Sequence, residues 1–163
     1  MNAKQAIKSA ADLGRVVIKA YVGDLTDAEL MKRPGPGCNH VAWQLGHLIA
    51  AEVDMLKSLA PEARVDLPSG FAEQHSKDTK NSDDASKFCT KQQYFDLLDK
   101  CHAASCAALD ASPDASLDQP GPEAFRSICP TMGDMWTMLA THTMMHAGQF
   151  VPVRRALGKP VVI

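Results

Sequence analysis

Six histidines punctuate this chain of 163 residues, and their placement carries most of its chemical information. His142 and His146 stand inside an apolar stripe that reads Met132, Met135, Leu139, His142, His146, Phe150, Val153, Leu157 at spacings of three and four. Each fills a slot where leucine is expected. Residues four apart share one helix face, with Cβ atoms roughly 6 Å apart, so two imidazoles there can share one metal ion. Taken alone, the pair reads more readily as two core histidines hydrogen-bonded to neighbours. His47 changes that balance. It lies midway along a second apolar helix, Trp43-Gln44-Leu45-Gly46-His47-Leu48-Ile49-Ala50-Ala51, where small residues leave room for a cavity. Facing helices of a bundle supply ligands to a shared interior site. Three imidazoles with open positions form the donor set of a catalytic ion rather than a closed structural one. Without an ion, three buried histidines would each need a polar partner, because unmatched burial is costly. The spacing therefore predicts one divalent ion held by His47, His142 and His146. Imidazole suits zinc, nickel, copper and iron alike, so the donor set leaves the metal open.

The remaining polar residues are weaker candidates. Gln149, three after His146 and seven after His142, reads as a hydrogen-bonding support for a ligand or equally as a helix-packing glutamine. His40 and Asp54 each lie seven residues from His47, about 10 Å along a helix, too far to share its ion. His75 is expected to be solvated in a polar loop, and His102 to be exposed on the third long helix. Other chemistries fail at the residue level. The run His142-Thr143-Met144-Met145-His146 has threonine where a metalloprotease carries its glutamate base, and no Glu-x-x-His of a di-iron bundle occurs. Nucleophile-elbow, P-loop and dinucleotide motifs are missing.

Four long helical patterns must position these residues. The first runs from about Ala3 to Tyr21 and is stopped by Gly23. A short turn follows, capped by Thr26 and Glu29. The second runs from His40 to about Leu59 with Asn39 as its N-cap. The third opens on the capping box Thr90–Gln93 and ends before Pro113; the fourth runs from Thr131 to a stop at Gly158-Lys159-Pro160. Pro152 inside it predicts a kink or local break. No run alternates like a strand, and Val161-Val162-Ile163 is too short to found a sheet. The expectation is an all-α four-helix bundle over residues 1–163, one domain, with long connections between helices two and three (Pro61–Cys89) and three and four (Ala111–Pro130). Phe71 and Phe88 are expected to pin the first connection to the bundle.

Composition bounds the partners. Seventeen Lys and Arg against nineteen Asp and Glu give a net charge of −2, which argues against a nucleic-acid or anionic-membrane surface. The N-terminal segment has no apolar core of a signal peptide or membrane span. Five cysteines, none in a C-x-x-C pair, read as free thiols in a reducing cytoplasm. Cys101 falls on an apolar stripe and is expected to be buried. The consecutive Val16, Val17 and Ile18 exceed what one inward stripe needs, which predicts an apolar patch and a homodimer.

Two segments, Asn39–Leu48 (NHVAWQLGHL) and Thr131–Gly158 (TMGDMWTMLATHTMMHAGQFVPVRRALG), resemble the DinB-like superfamily of damage-inducible proteins and related thiol transferases. The pattern is one histidine on the second helix, then H-x-x-x-H followed by Gly-Gln on the fourth. The loop Phe71–Ser76 and the entry Thr90–Leu98 extend the likeness over nearly the whole chain. The resemblance implies a four-helix bundle holding a divalent ion, often nickel or zinc, on His47, His142 and His146. It also implies metal-dependent transfer chemistry with a low-molecular-weight thiol such as bacillithiol or mycothiol, and dimers. The His-x-x-x-His-x-Glu of the related thiol-histidine synthases is not matched, since position 148 is Gly148. Two readings compete. One is a metal-dependent thiol S-transferase acting on a small-molecule electrophile; the other is a non-catalytic metal-binding stress or sensor protein. A basic cluster at the cavity mouth, for which Arg154 and Arg155 are the candidates, would favour the enzyme.

Overall fold

The structure, a computed structural model, describes residues 1–162; Ile163, the last residue of the terminal apolar run and of the expected domain span, lies outside the described residues. Helix α1 spans Ala3–Val22, α2 Val41–Leu59, α3 Phe71–Gln74, α4 Lys91–Ala111 and α5 Met132–Ala156. Four are the long helices of the sequence pattern, and the short α3 lies in the first long connection. Among the described residues there is no strand, only an isolated bridge between Pro120 and Thr131. No described helix is long and apolar enough to cross a membrane.

The helix ends follow local chemistry. Asn2, Thr90 and Thr131 each accept from the backbone three residues on, and Gln5, Gln93 and Asp134 reach back to complete capping boxes. The stop at Gly158 is real: its φ of 68 suits glycine, and Lys159 N–H returns to the Arg154 carbonyl at 2.9 Å. Two expectations change. The N-cap of α2 is His40 rather than Asn39, with Nδ1 accepting from Trp43 N–H at 3.0 Å. The Asn39 carbonyl instead accepts from the Gln44 amide at 2.8 Å. Helix α5 also continues unbroken through Pro152 to Ala156. The residue four before Pro152, whose carbonyl the ring crowds, is Gly148, the least encumbered residue to accommodate it.

Each long helix packs on two others, in the cyclic order α1, α5, α2, α4. Ion pairs fix the directions. Lys8 meets Asp110 and Lys19 meets Asp99, each at 2.6 Å, so α1 and α4 are antiparallel. Gly14 lies against Thr143, and the Tyr21 carbonyl accepts from Arg154, so α1 and α5 run together. A Cβ on Gly14 would overlap the Thr143 hydroxyl, which is why α1 can close so tightly on α5. Helices α2 and α4 are then parallel, with Glu52 meeting Ser105. Parallel helices in succession force the chain to return along the bundle, about 28 Å for a 19-residue helix. That return is the physical reason for the Pro61–Cys89 connection. Phe71, at its middle, is 1% exposed and pins it to the core. Cys101 is fully buried on α4, as its stripe position predicts.

Candidate metal centre

His47 on α2 and His142 and His146 on α5 converge where those two helices face each other. One side-chain nitrogen from each lies within 4.8 Å of the other two. The ring centroids are 5.4 Å apart for His47 and His142, 5.3 Å for His47 and His146, and 5.0 Å for His142 and His146.

Burial sets the protonation state. Desolvation, and then the neighbouring imidazoles, push His142 and His146 down to about 4; desolvation alone lowers His47. All three rings are therefore neutral near pH 7, with a lone pair on each. Neutral imidazole is the form that binds metal. Within the cluster, His142 Nδ1 is buried with no hydrogen-bond partner. An orphaned buried nitrogen costs about 1–3 kcal/mol, so its retention beside two other imidazoles fits a donor set that an ion completes.

Three further side chains pack around the centre, and two of them contact its rings directly. The Gln44 nitrogen donates to Asn39 O, so its oxygen faces His146 Nδ1 at 2.9 Å and accepts from an Nδ1–H. That bond fixes the tautomer with its lone pair on Nε2, the outer-shell contact typical of metal-binding histidine. The Trp43 indole stacks on His47 at 5.1 Å with the planes 8° apart, and its N–H donates to Ser76 O at 3.0 Å. The third is His75. Far from solvated, it is 2% exposed: Nδ1 bonds the Phe71 carbonyl at 2.7 Å and Nε2 the Tyr94 hydroxyl at 2.8 Å. Its ring fills the space over Gly46, where any Cβ would overlap it. The small residue beside His47 is thus not cavity but the socket for a histidine from the long connection.

The other sequence candidates fall elsewhere. Gln149 is exposed, and the amide that contacts an imidazole of the cluster belongs to Gln44. His40 caps α2 and donates to Ser82 O at 3.1 Å. Asp54 is exposed and pairs with Lys57. His102 is only slightly exposed, because it bonds Asp12 across the α1–α4 seam at 2.8 Å. Arg154 is no mouth residue: it is 1% exposed and held by Asp24 and the carbonyls of Tyr21 and Pro160. Arg155 is exposed. Gln44 and Trp43 were detectable in the sequence, as the polar residue three before His47 and the aromatic four before it; His75 carried no such local signal.

A family model described as the DinB superfamily matches residues 10–150. Among solved structures, the chain is similar to a conserved protein from Enterococcus faecalis, with a TM-score of 0.69 at 19% identity, covering 98% of this chain and 99% of that one. At that identity the likeness shows the fold. No curated protein matches.

Proposed function

The chain belongs to the DinB superfamily, and from that premise we propose that it is a metal-dependent enzyme of this superfamily, a thiol S-transferase in which His47, His142 and His146 hold one divalent ion, nickel or zinc. The observation that carries the reading is the meeting of three neutral imidazoles from two helices, one of them with an orphaned nitrogen. A bound ion would supply Lewis acidity, lowering the pKa of a low-molecular-weight thiol so that its thiolate can meet an electrophile.

The chain's own part is to hold the donors and admit the reactants. Gln44 keeps the His146 proton on Nδ1, Trp43 holds the His47 plane, and burial keeps all three rings neutral. One flank of α5 is closed, with Ala147 3% exposed and Thr143 packed on Gly14. The opposite flank is open: Met145 is 61% exposed, and Gln149 is exposed one turn on. On this reading small molecules enter from that side, and Gln149 is proposed to stand at the rim and hydrogen-bond a substrate. The protein is proposed to act in the cytoplasm, without nucleic acid or membrane, as a homodimer joined through the face of α1 where Leu13 and Val16 are 53% and 57% exposed.

One observation favours the non-catalytic alternative. Arg154, which could have met an anionic thiol, is consumed by Asp24. Metal analysis of untagged protein, followed by conjugation assays with several thiols, separates the readings. The enzyme reading expects about one ion per chain and conjugation that disappears in His47→Ala. Metal binding with no conjugation by any thiol leaves the sensor reading.

A further inference from the structure

A second group of donors lies outside the three-histidine cluster, on the seam between α1 and α4. His102 and Cys106 are four apart on α4, and so share one face. Asp12 approaches them from α1. One donor atom from each lies within 4.8 Å of the other two. His102 Nε2 is the hub: it donates to Asp12 Oδ1 at 2.8 Å and lies 3.6 Å from Cys106 Sγ. All three are at least partly exposed, and none supports the three-histidine cluster.

We propose that Asp12, His102 and Cys106 form a second metal site, which takes a borderline divalent ion of the zinc or cobalt class and staples α1 to α4. The donor set argues for that class. Thiolate, imidazole and carboxylate together are zinc ligands, with bonds of about 2.3, 2.0 and 2.1 Å. At tetrahedral angles those lengths put sulfur and nitrogen about 3.5 Å apart, close to the 3.6 Å already present. They put nitrogen and oxygen about 3.4 Å apart, so the Asp12–His102 contact opens by roughly half an ångström when an ion replaces the shared proton. Asp12 is exposed and free to make that adjustment. A hard ion such as magnesium or calcium would find one carboxylate and two unsuitable donors.

Proton balance is simple. On binding, the Cys106 thiol loses its proton to solvent, and the His102 proton moves from Nε2 to Nδ1, leaving both donor atoms with a lone pair. Lys8 beside the site does not compete for Asp12, because its ammonium is engaged by Asp110 at 2.6 Å. The fourth position belongs to water.

The site is independent of the three-histidine reading, and a thiolate-specific signal tells them apart. The full chain carrying His142→Ala, which cripples the histidine cluster, is titrated with cobalt(II) under reducing conditions. The expected result is one cobalt bound with an intense near-ultraviolet thiolate-to-cobalt absorption, which an all-imidazole site cannot give. Cys106→Ser in the same background abolishes the band, and Asp12→Asn weakens binding at least ~10-fold. Both positions are partly exposed, so neither change threatens the fold. Absence of the band in folded parent protein overturns the proposal, as does a band that persists after Cys106→Ser.

Discussion

Gln44 offers the sharpest test of how the candidate centre is built, because one substitution removes its hydrogen bond and leaves its volume. Gln44 is 1% exposed, and both ends of its amide are engaged, by Asn39 O and His146 Nδ1. In Gln44→Met the packing is kept, but a part-buried carbonyl and a buried N–H lose their partner. Each orphaned group costs about 1–3 kcal/mol, less any relaxation, so a destabilisation of about 2–3 kcal/mol is expected in urea unfolding. Metal affinity should fall by more than stability alone explains. Without an acceptor at Nδ1, His146 loses the bond that selects its tautomer and raises its basicity, and loss of such a contact costs roughly 10- to 100-fold in affinity. Gln44→Glu is the control: it keeps an acceptor towards His146 while losing the donor towards Asn39. Calorimetric titration with zinc should therefore rank the native chain and Gln44→Glu together, with Gln44→Met at least tenfold weaker. Gln44→Met that is folded and binds zinc as tightly as the native chain would refute the assigned role of this amide. Equal losses in both variants would refute it too, by showing that the bond to Asn39 matters instead.

Other outcomes follow from single contacts. Gly46→Ala must drive the His75 ring from its socket, so a loss of about 3 kcal/mol is expected from overpacking and two broken hydrogen bonds; a urea midpoint matching the native one would show that His75 is not held there. Glu52 is pushed up to about 7 by burial, against 4.5 when unfolded. Its folded form prefers the proton, so stability is fully present below 4.5 and is lost as pH rises to 7, by about 3 kcal/mol. Glu52→Gln should accordingly match the native chain near pH 4.5 and exceed it at pH 8; a gap that does not change with pH would contradict this. Arg154→Met removes the donor to the Tyr21 and Pro160 carbonyls, while Asp24 is half-exposed and keeps Lys159 beside it, so a loss of about 2–3 kcal/mol is expected. Because Arg154 lies away from the histidines, KM for any thiol substrate should stay unchanged at temperatures where the variant is folded. A raised KM would return it to the mouth of the site.

What could be read from the sequence was whatever depends on residues a few positions apart. The stripe carrying His142 and His146, the boxes at Thr90 and Thr131, and the stop at Gly158 are all set within one or two turns of chain, and each stands in the structure where the spacing put it. The failures share the opposite property. Arg154 looks like any basic residue near a helix end; its burial depends on Asp24, 130 residues earlier. Gly46 looks like room for a ligand, and becomes a socket only because the return of the chain between two parallel helices carries His75 past it. The length of that connection was visible, but the reason for it, the parallel course of α2 and α4, is a property of the whole bundle. The same distinction applies to the two metal-capable groups. The one on α2 and α5 announces itself because two of its donors replace leucines. The one on α1 and α4 does not, since Asp12, His102 and Cys106 occupy positions where polar and small residues are unremarkable. A side chain is legible as functional when it violates the pattern its element needs; where the pattern tolerates it, only the packing of one helix on another shows what it faces.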